Sequence, residues 1–178
     1  IKRQEKFGSN FLDLNVDEMS HKLDIQITAM KWLMEIFEKN ANIPPSVDSS
    51  NSDIIEAGLK KYSGTQGRPM INSIALERLE TFKLAKEYDA NVILTGASKD
   101  GMPSNSHERV DNINEIINHA KKYDIEFEDI HLDPLVFPIS VDKEYGIHFF
   151  DSISKLREIY GSEINISGGL SNVSFGLP

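Results

Sequence analysis

Short carboxylates and amides follow several apolar runs in this 178-residue chain, and these side chains are well suited to hold a ligand. A carboxylate only accepts hydrogen bonds, whereas an amide both donates and accepts them. Such a set suits a flat, neutral heterocycle with an N–H and NH₂ edge, because a carboxylate accepts two parallel hydrogen bonds from that fork. A phosphate would be repelled by the carboxylates. The candidates are Asp48 in Val47–Asn51, Asn72 in Met70–Ser73, Asp133 in His131–Leu135 and Asn172 in the glycine-rich run Gly168–Pro178.

Other chemistries have weaker support in the sequence. Dinucleotide, P-loop and zinc-protease functions lack their usual motifs, G-x-G-x-x-G, G-x-x-x-x-G-K-[ST] and H-E-x-x-H. The run from Gly169 to Val173 begins like the G-x-S-x-G nucleophile elbow but ends in valine. His131 and Asp133 are two residues apart and share a strand face, but no third ligand clusters with them in the sequence. We therefore expect a hydrogen-bonded histidine there and no metal.

The composition is that of an acidic globular chain. Lys and Arg number 19 against 28 Asp and Glu, a net charge of −9, and 39% of the residues are hydrophobic, which suffices for one sizeable core. Because basic residues form no run, nucleic acid is not an expected partner. No apolar run approaches the roughly 20 residues that span a bilayer, so a membrane is not expected either. The absence of cysteine excludes disulfides and a cysteine nucleophile, and it fits a cytoplasmic protein.

Short strands that alternate with helices must position these side chains. Apolar residues recur at helical spacing from Leu23 to Phe37, from Val110 to Ala120 and from Phe149 to Tyr160, so each segment predicts a helix with one buried face. Ser50 and Asp53 predict a capping box at the start of another helix. Strands are predicted at Asn10–Asn15, Pro45–Asp48, Pro69–Asn72, Asn91–Thr95, Ile130–Asp133 and Ile164–Ser167.

Strands that alternate with helices predict right-handed βαβ units and a parallel sheet. An open doubly wound sheet and an eight-stranded barrel both place ligands at the carboxyl ends of their strands. We favour the barrel because several different strand ends carry polar residues, whereas an open sheet concentrates its site at one switch point. A (β/α)8 TIM barrel takes about 250 residues. We therefore expect residues 1–178 to form a single α/β barrel domain that lacks its first strand and its closing unit.

Four motifs stand at or after the predicted strand ends: V-D-S-S-N at 47–51, I-N-S at 71–73, L-D-P-L at 132–135 and G-L-S-N-V-S-F at 169–175. In their order and separation, these motifs resemble those of the pterin-binding methyltransferases that act on methyltetrahydrofolate and a corrinoid protein. The last motif is highly specific, whereas the other three gain force from their order. The resemblance covers essentially the whole chain. It implies a pterin-binding barrel that moves a methyl group between N5 of the folate and the cobalt of the corrinoid.

The resemblance also implies roles for single residues. Asp48, Asn72 and Asp133 match the positions that hydrogen-bond the pterin ring, and Asn172 matches the catalytic asparagine whose side chain approaches N5. A donor near N5 would stabilise the electron pair and favour proton delivery as the N–methyl bond breaks. The alternative for Asn172 is a left-handed turn residue in a glycine-rich loop. Further expected ring contacts are Asn15, Ser73, Gly168, Gly169 and Ser171, the glycines because they allow close approach of the backbone.

The anionic glutamate tail of folate is not attracted by a net charge of −9, so any electrostatic help must be local. Lys99 and Arg109 are the available cations, and ordinary surface charge is the favoured interpretation of both.

The corrinoid is expected on a partner protein or domain, because the D-x-H-x-x-G pattern of cobalamin-binding domains begins at Asp129 and fails at Pro134. The family resemblance further implies a homodimer, while transfer in either direction uses the same pterin chemistry. Three alternatives stay open. A dihydropteroate synthase shares the barrel but carries a Ser-Arg-Lys motif where this chain has Ser171-Asn-Val. A non-catalytic barrel subunit could pair with a corrinoid protein, and Gly168-Gly169 suits a phosphate-binding isomerase that here lacks an obvious base.

Overall fold

The structure is a computed structural model that describes residues 1–99 and 101–177. Asp100, within the loop predicted for 99–106, and Pro178, at the end of the glycine-rich run, lie outside the described residues. Six strands form one sheet in the order β1-β2-β3-β4-β5-β6. The pairs β1–β2, β2–β3 and β5–β6 are parallel. The strands are β1 Leu12–Asn15, β2 Pro45–Asp48, β3 Met70–Ile74, β4 Asn91–Thr95, β5 Ile130–Asp133 and β6 Asn165–Ile166.

The strands β1 to β5 are each followed by an α-helix, which is the alternation that the sequence predicts. Among the described residues, none of these helices has the length and apolarity that a bilayer crossing requires. The helices are α1 Lys2–Lys6, α2 Leu23–Asn40, α3 Ser52–Lys61, α4 Phe82–Glu87, α5 Ser106–Lys122 and α6 Glu144–Tyr160. Short 3₁₀ segments lie at Asp17–Met19, Leu79–Thr81, Phe127–Asp129 and Leu170–Ser174.

Three predicted strands, β2, β4 and β5, have the predicted bounds, and the other three differ by one or two residues at their ends. The third strand begins after Pro69, whose nitrogen has no hydrogen to donate to a neighbouring strand. It continues past Asn72 to Ile74. The last strand contains only Asn165 and Ile166, the two residues that pair with β5.

By their internal contacts the residues fall into two compact units, which we describe separately. The N-terminal unit comprises residues Ile1–Ser73 and Glu80–Val92, and the C-terminal unit comprises Ile74–Leu79 and the residues from Ile93 onward.

In the N-terminal unit, α2 packs against α3 and β1. The buried face predicted for α2 is confirmed in its second half, where Met30, Met34 and Phe37 have no exposed surface, whereas Leu23 at the start of the helix is exposed. The start of α3 differs from the prediction, because Asn51 and not Ser50 caps it, accepting the Asp53 N–H at 2.8 Å. The Ser50 hydroxyl instead donates to Asp17 at 2.9 Å.

In the C-terminal unit, α5 and α6 pack against each other and β5 pairs with β6. The predicted inner face of α5 is confirmed, since its apolar residues from Val110 to Ala120 are all buried. In α6 only Leu156 of the predicted apolar set is fully buried, while Phe149, Ile153 and Tyr160 keep some exposed surface. Helix α6 therefore contributes fewer fully buried apolar side chains to the core of this unit than α5 does.

Candidate functional site

The carboxyl ends of β1, β2 and β3 bring three predicted site residues together in the N-terminal unit. The parallel register pairs Asn15 with Asp48 and Asp48 with Asn72. The Asn15 amide donates from Nδ2 to Oδ2 of Asp48 at 3.0 Å. Neighbouring strands in register thus place the Asp48 carboxyl between two amides.

Asp13 also belongs to this cluster, although it was not among the predicted site residues. Its Oδ1 accepts a hydrogen bond of 3.3 Å from Nδ2 of Asn72, and its carboxyl also interacts with that of Asp48. The signal was present in the sequence, because Asp13 precedes Asn15 by two residues and so shares its strand face. Asp13 and Asn15 are both exposed, while Leu12 and Leu14, which alternate with them along the strand, are buried.

The charge of Asp48 depends on its surroundings. Partial burial raises the pKa of Asp48 to about 7, with further raising by the Asp13 and Asp17 carboxylates. The hydrogen bond from Asn15 acts in the opposite direction. The raised pKa lets Asp48 take up a proton closer to neutral pH than an ordinary aspartate does, and the protonated carboxyl can donate as well as accept a hydrogen bond.

Asp17 fixes the chain that follows Asp48. Its Oδ1 accepts from the Ser49 hydroxyl at 2.5 Å, and its Oδ2 accepts from the Ser50 backbone and hydroxyl, each at 2.9 Å. The Asp17 carboxylate thereby ties the 3₁₀ segment after β1 to the first residues after β2. No local motif marks this role, because the partners lie more than 30 residues away in the chain.

Ser73, a further predicted ring contact, lies inside β3 and is half-buried. The predicted strand ended one residue earlier, so Ser73 was expected to follow the strand and instead belongs to it. Its contact with a ligand stays a prediction.

In the C-terminal unit, Asp133 is the last residue of β5 and is held by two backbone contacts. Its Oδ1 accepts the Leu135 N–H at 2.8 Å, and its carbonyl oxygen accepts the Gly96 N–H at 2.9 Å. Burial raises the pKa of Asp133 to about 6, while the Leu135 N–H and the Arg109 charge act in the lowering direction. Asp133 is therefore mainly ionised at pH 7 and able to accept hydrogen bonds.

The interpretation of Arg109 as surface charge is wrong. Its side chain is fully buried, and Nη1 donates to the carbonyls of Pro134 at 3.2 Å and Leu135 at 2.7 Å. The guanidinium carbon lies 4.6 Å from the centre of the Phe137 ring. Lys99, by contrast, is exposed and lines a cavity of about 470 Å³ together with Glu108.

His131 lies two residues before Asp133 and is partly buried, which lowers its pKa. Among the residues that the structure describes, no three His, Asp or Glu side chains are grouped so that they could hold a metal ion.

The glycine-rich run forms a short 3₁₀ turn, Leu170–Ser174, which contains Asn172. The Asn172 N–H donates to the Gly169 carbonyl at 2.9 Å, and a Cβ built on Gly169 would lie 2.9 Å from Nδ2 of Asn172. A side chain at 169 would therefore force the Asn172 amide to move from this position. The left-handed alternative for Asn172 is wrong, because the described non-glycine residues with positive φ are Asp89, Asp124 and Leu135.

Gly168 has a comparable internal role, since a Cβ there would lie 3.0 Å from the ring of Phe149. Ser171 is exposed, and its carbonyl accepts the Ser174 hydroxyl at 3.1 Å. The turn is anchored by Ile139, whose N–H donates to the Val173 carbonyl at 3.2 Å. Close approach of a ligand to Gly168, Gly169 or Ser171 stays a prediction.

Comparison with known proteins gives a match over the whole chain. The family model described as pterin binding enzyme matches residues 1–178. The chain is also 28% identical over 182 residues to a methylcorrinoid:tetrahydrofolate methyltransferase of Eubacterium limosum, an alignment that covers 98% of this chain and 64% of that protein. The chain therefore spans less than two thirds of the length of this relative.

Solved structures show the same fold. A dihydropteroate synthase of Xanthomonas albilineans, in complex with indole-2-carboxylic acid and 6-chloroguanine, matches with a TM-score of 0.71 at 17% identity. The match covers 96% of this chain and 62% of the synthase chain. A dihydropteroate synthase of Coxiella burnetii, in complex with pteroic acid, matches with a TM-score of 0.63 at 18% identity, over 94% of this chain and 62% of the synthase chain. These similarities confirm the predicted pterin-binding barrel fold.

Proposed function

Since this chain belongs to the pterin-binding enzyme family, we propose that it is a methyltransferase acting between N5 of tetrahydrofolate and a corrinoid protein. The observation that carries the pterin half of the proposal is the register of Asn15, Asp48 and Asn72 at three adjacent strand ends. The methyltransferase half is supported by the Eubacterium limosum relative, whose name gives methylcorrinoid and tetrahydrofolate as substrates.

The pterin ring presents an amino-pyrimidine edge with adjacent N–H and NH₂ donors and with ring acceptors. Ionised Asp133 would accept from these donors, because a carboxylate matches such a fork. Asp48 serves as an acceptor or a donor according to its protonation, and Asn72, whose amide is oriented by Asp13, supplies both kinds of group. Asn15, Ser73, Gly169 and Ser171 are proposed as further contacts.

Asn172 is proposed as the catalytic residue that contacts N5. In the direction named for the relative, the N5 lone pair attacks the methyl carbon, the former bonding pair stays on cobalt, and the N5 proton passes to solvent. In reverse, N5 keeps the N–C pair and takes up a proton. The neutral Asn172 amide would hold N5 or a water beside it in line for that proton transfer.

The corrinoid is proposed to arrive on a partner protein or domain. The residues Asp129 and His131, which begin a cobalamin-domain pattern, lie in a 3₁₀ segment and in β5, and Pro134 occupies the position where the pattern requires glycine. We further propose that the protein is a homodimer, as the family resemblance implies, and that it is cytoplasmic, which fits the absence of cysteine.

The decisive experiment measures methyltetrahydrofolate binding by calorimetry and methyl transfer with a reduced corrinoid protein, using the full-length protein. Asn172→Ala should lower kcat about 100-fold or more while changing the folate Kd little, because a transition-state contact affects rate selectively. Ser174→Ala, in the same 3₁₀ turn, is the matched control and should retain activity. Equal losses of rate and binding in Asn172→Ala would make Asn172 a binding residue only, and no folate binding would refute the proposed function.

A dihydropteroate synthase is the second candidate, because solved structures of that enzyme share the fold. Ser171-Asn-Val in place of a basic Ser-Arg-Lys motif counts against it. Incubation with a hydroxymethylpterin diphosphate and p-aminobenzoate separates the two functions, since formation of dihydropteroate would favour the second candidate.

A further inference from the structure

Arg109 lies in the first turn of α5, and its guanidinium is fully buried against the chain that follows β5. Nη1 donates to two consecutive carbonyls, those of Pro134 and Leu135, and the guanidinium stacks on the Phe137 ring. A planar guanidinium presents its donors in a fixed geometry, so these contacts define the path of the chain immediately after Asp133.

The corner from Asp133 to Leu135 requires such support. Leu135 has φ of +67°, a left-handed conformation that a leucine adopts only where its surroundings enforce it. Two contacts meet at this residue: its N–H donates to the Asp133 carboxylate, and its carbonyl accepts from Arg109. The orientation of the Asp133 carboxylate and the position of Arg109 are therefore linked through a single backbone unit.

Arg109 also brings a positive charge that its hydrogen bonds do not neutralise. Both acceptors are neutral carbonyls, and Nε and Nη2 have no hydrogen-bond partner among the described residues. Burial lowers the Arg109 pKa, while Tyr145 and Asp133 raise it, and an arginine stays protonated under such conditions. The Leu135 N–H and the Arg109 charge both act to lower the pKa of Asp133, against the raising effect of burial.

We propose that Arg109 is a positioning residue for Asp133: it fixes the 133–135 corner through two carbonyls and places a buried positive charge beside the carboxylate that receives the pterin. The identity of the ligand as a pterin rests on the proposed function, whereas the effect of Arg109 on Asp133 does not. Arg109 itself contacts neutral protein groups and acts on the ligand through Asp133.

The first experiment needs no ligand. The titration of Asp133 is followed by NMR of carboxyl-labelled aspartate in the full-length protein, with Asp133→Asn used to assign the signal. Arg109→Gln should raise the pKa of Asp133 by about one pH unit, the low end of the effect of a nearby opposite charge, and Arg109→Lys should leave it unchanged. Arg157→Gln in α6 is the matched control, because this exposed arginine also donates to a carbonyl, that of Ser162. An unchanged Asp133 titration in Arg109→Gln would overturn the proposal.

The second experiment measures methyltetrahydrofolate binding at neutral pH. Arg109→Gln should weaken binding about tenfold or more, the loss expected when a charge-assisted hydrogen bond is impaired. In an Asp133→Asn background the same substitution should have little further effect. Equal losses in the two backgrounds would show that Arg109 does not act through Asp133.

Arg109→Lys keeps the test decisive if Arg109→Gln does not fold. A single ammonium cannot reproduce the planar fork, so affinity should fall severalfold while Asp133 titrates as in the parent. Unchanged affinity in Arg109→Lys would contradict the positioning role. Failure of the parent protein to bind methyltetrahydrofolate would refute the proposed function, and the NMR titration would still decide whether Arg109 controls Asp133.

Discussion

Asp48 lies half-buried at the end of β2, where the Asp13 and Asp17 carboxylates both act on it. The repulsion between these carboxyls destabilises the ligand-free site. A ligand that donates hydrogen bonds would relieve the repulsion, so the same arrangement favours binding. In ionised form Asp48 destabilises the ligand-free fold. Functional sites commonly carry strain or repulsion of this kind at the expense of stability.

Removing this charge should stabilise the protein in a pH-dependent way. Unfolded Asp48 ionises near pH 4 and folded Asp48 at about 7. The wild-type free energy of unfolding therefore gains a downward slope between these values and none above them. We expect Asp48→Asn to be more stable than wild type by about 1–2 kcal/mol above pH 7, after allowance for partial solvent screening, and equally stable below about pH 4.

Urea unfolding at a series of pH values measures this difference. Asp151→Asn, an exposed aspartate of α6, is the control and should show no pH-dependent gain. A variant that is less stable than wild type at alkaline pH would show that the hydrogen bond from the Asn15 amide compensates the Asp48 charge fully.

At the scale of elements, the position of the Asp48 strand depends on how closely α3 approaches it. A Cβ built on Gly58 would lie 2.8 Å from Cγ1 of Val47 and 3.2 Å from Cγ of Met30. Helix α3 thus packs on β2 and α2 at a distance that only glycine permits, and Val47 is the residue directly before Asp48.

Gly58→Ala should therefore separate α3 from β2. We expect a loss of about 1–3 kcal/mol in the free energy of unfolding, the usual cost of overpacking, in spite of the higher helix propensity of alanine. Gly146→Ala in α6 is the matched control, since its Cβ would meet Ile139 at an ordinary 3.9 Å. Thermal unfolding of both variants decides the matter, and a stabilised Gly58→Ala would mean that Val47 and Met30 rearrange freely.

At the scale of the whole molecule, 28 acidic and 19 basic residues give an electrostatic field that opposes an anionic ligand. The two cations that the sequence offers near the predicted site, Lys99 and Arg109, differ in their accessibility. Arg109 is buried, and Lys99 shares its cavity with Glu108. Under the proposed function, the anionic glutamate tail of folate would therefore meet a net repulsion on approach.

The association rate of methyltetrahydrofolate should accordingly rise with ionic strength. Between about 0.01 M and 0.15 M salt the Debye length shortens from about 30 Å to about 8 Å, which screens the repulsion. Stopped-flow fluorescence measures the rate, and a neutral tetrahydropterin without the glutamate tail serves as the control with little salt dependence. A rate that falls with salt would indicate a local basic attraction site, with Lys99 as the first residue to substitute.

The alternation of strands and helices was predictable because each element buries one face, and that periodicity is written in local sequence. The family was predictable from the order of the four motifs. The roles that the motifs predict for Asp48, Asn72, Asp133 and Asn172 stay proposals. The single-domain organisation of residues 1–178 stays a proposal.

The roles of Asp13, Asp17 and Arg109 were not predictable, because each depends on contacts with residues distant in the chain. The sequence determined which side chains stand at the strand ends and what chemistry they offer. Only the tertiary structure decided the state of those groups, since burial and neighbouring charges set the pKa of Asp48 and Asp133. Chain folding likewise turned Arg109 from an apparent surface charge into a buried support, because solvation depends on packing and not on residue type alone.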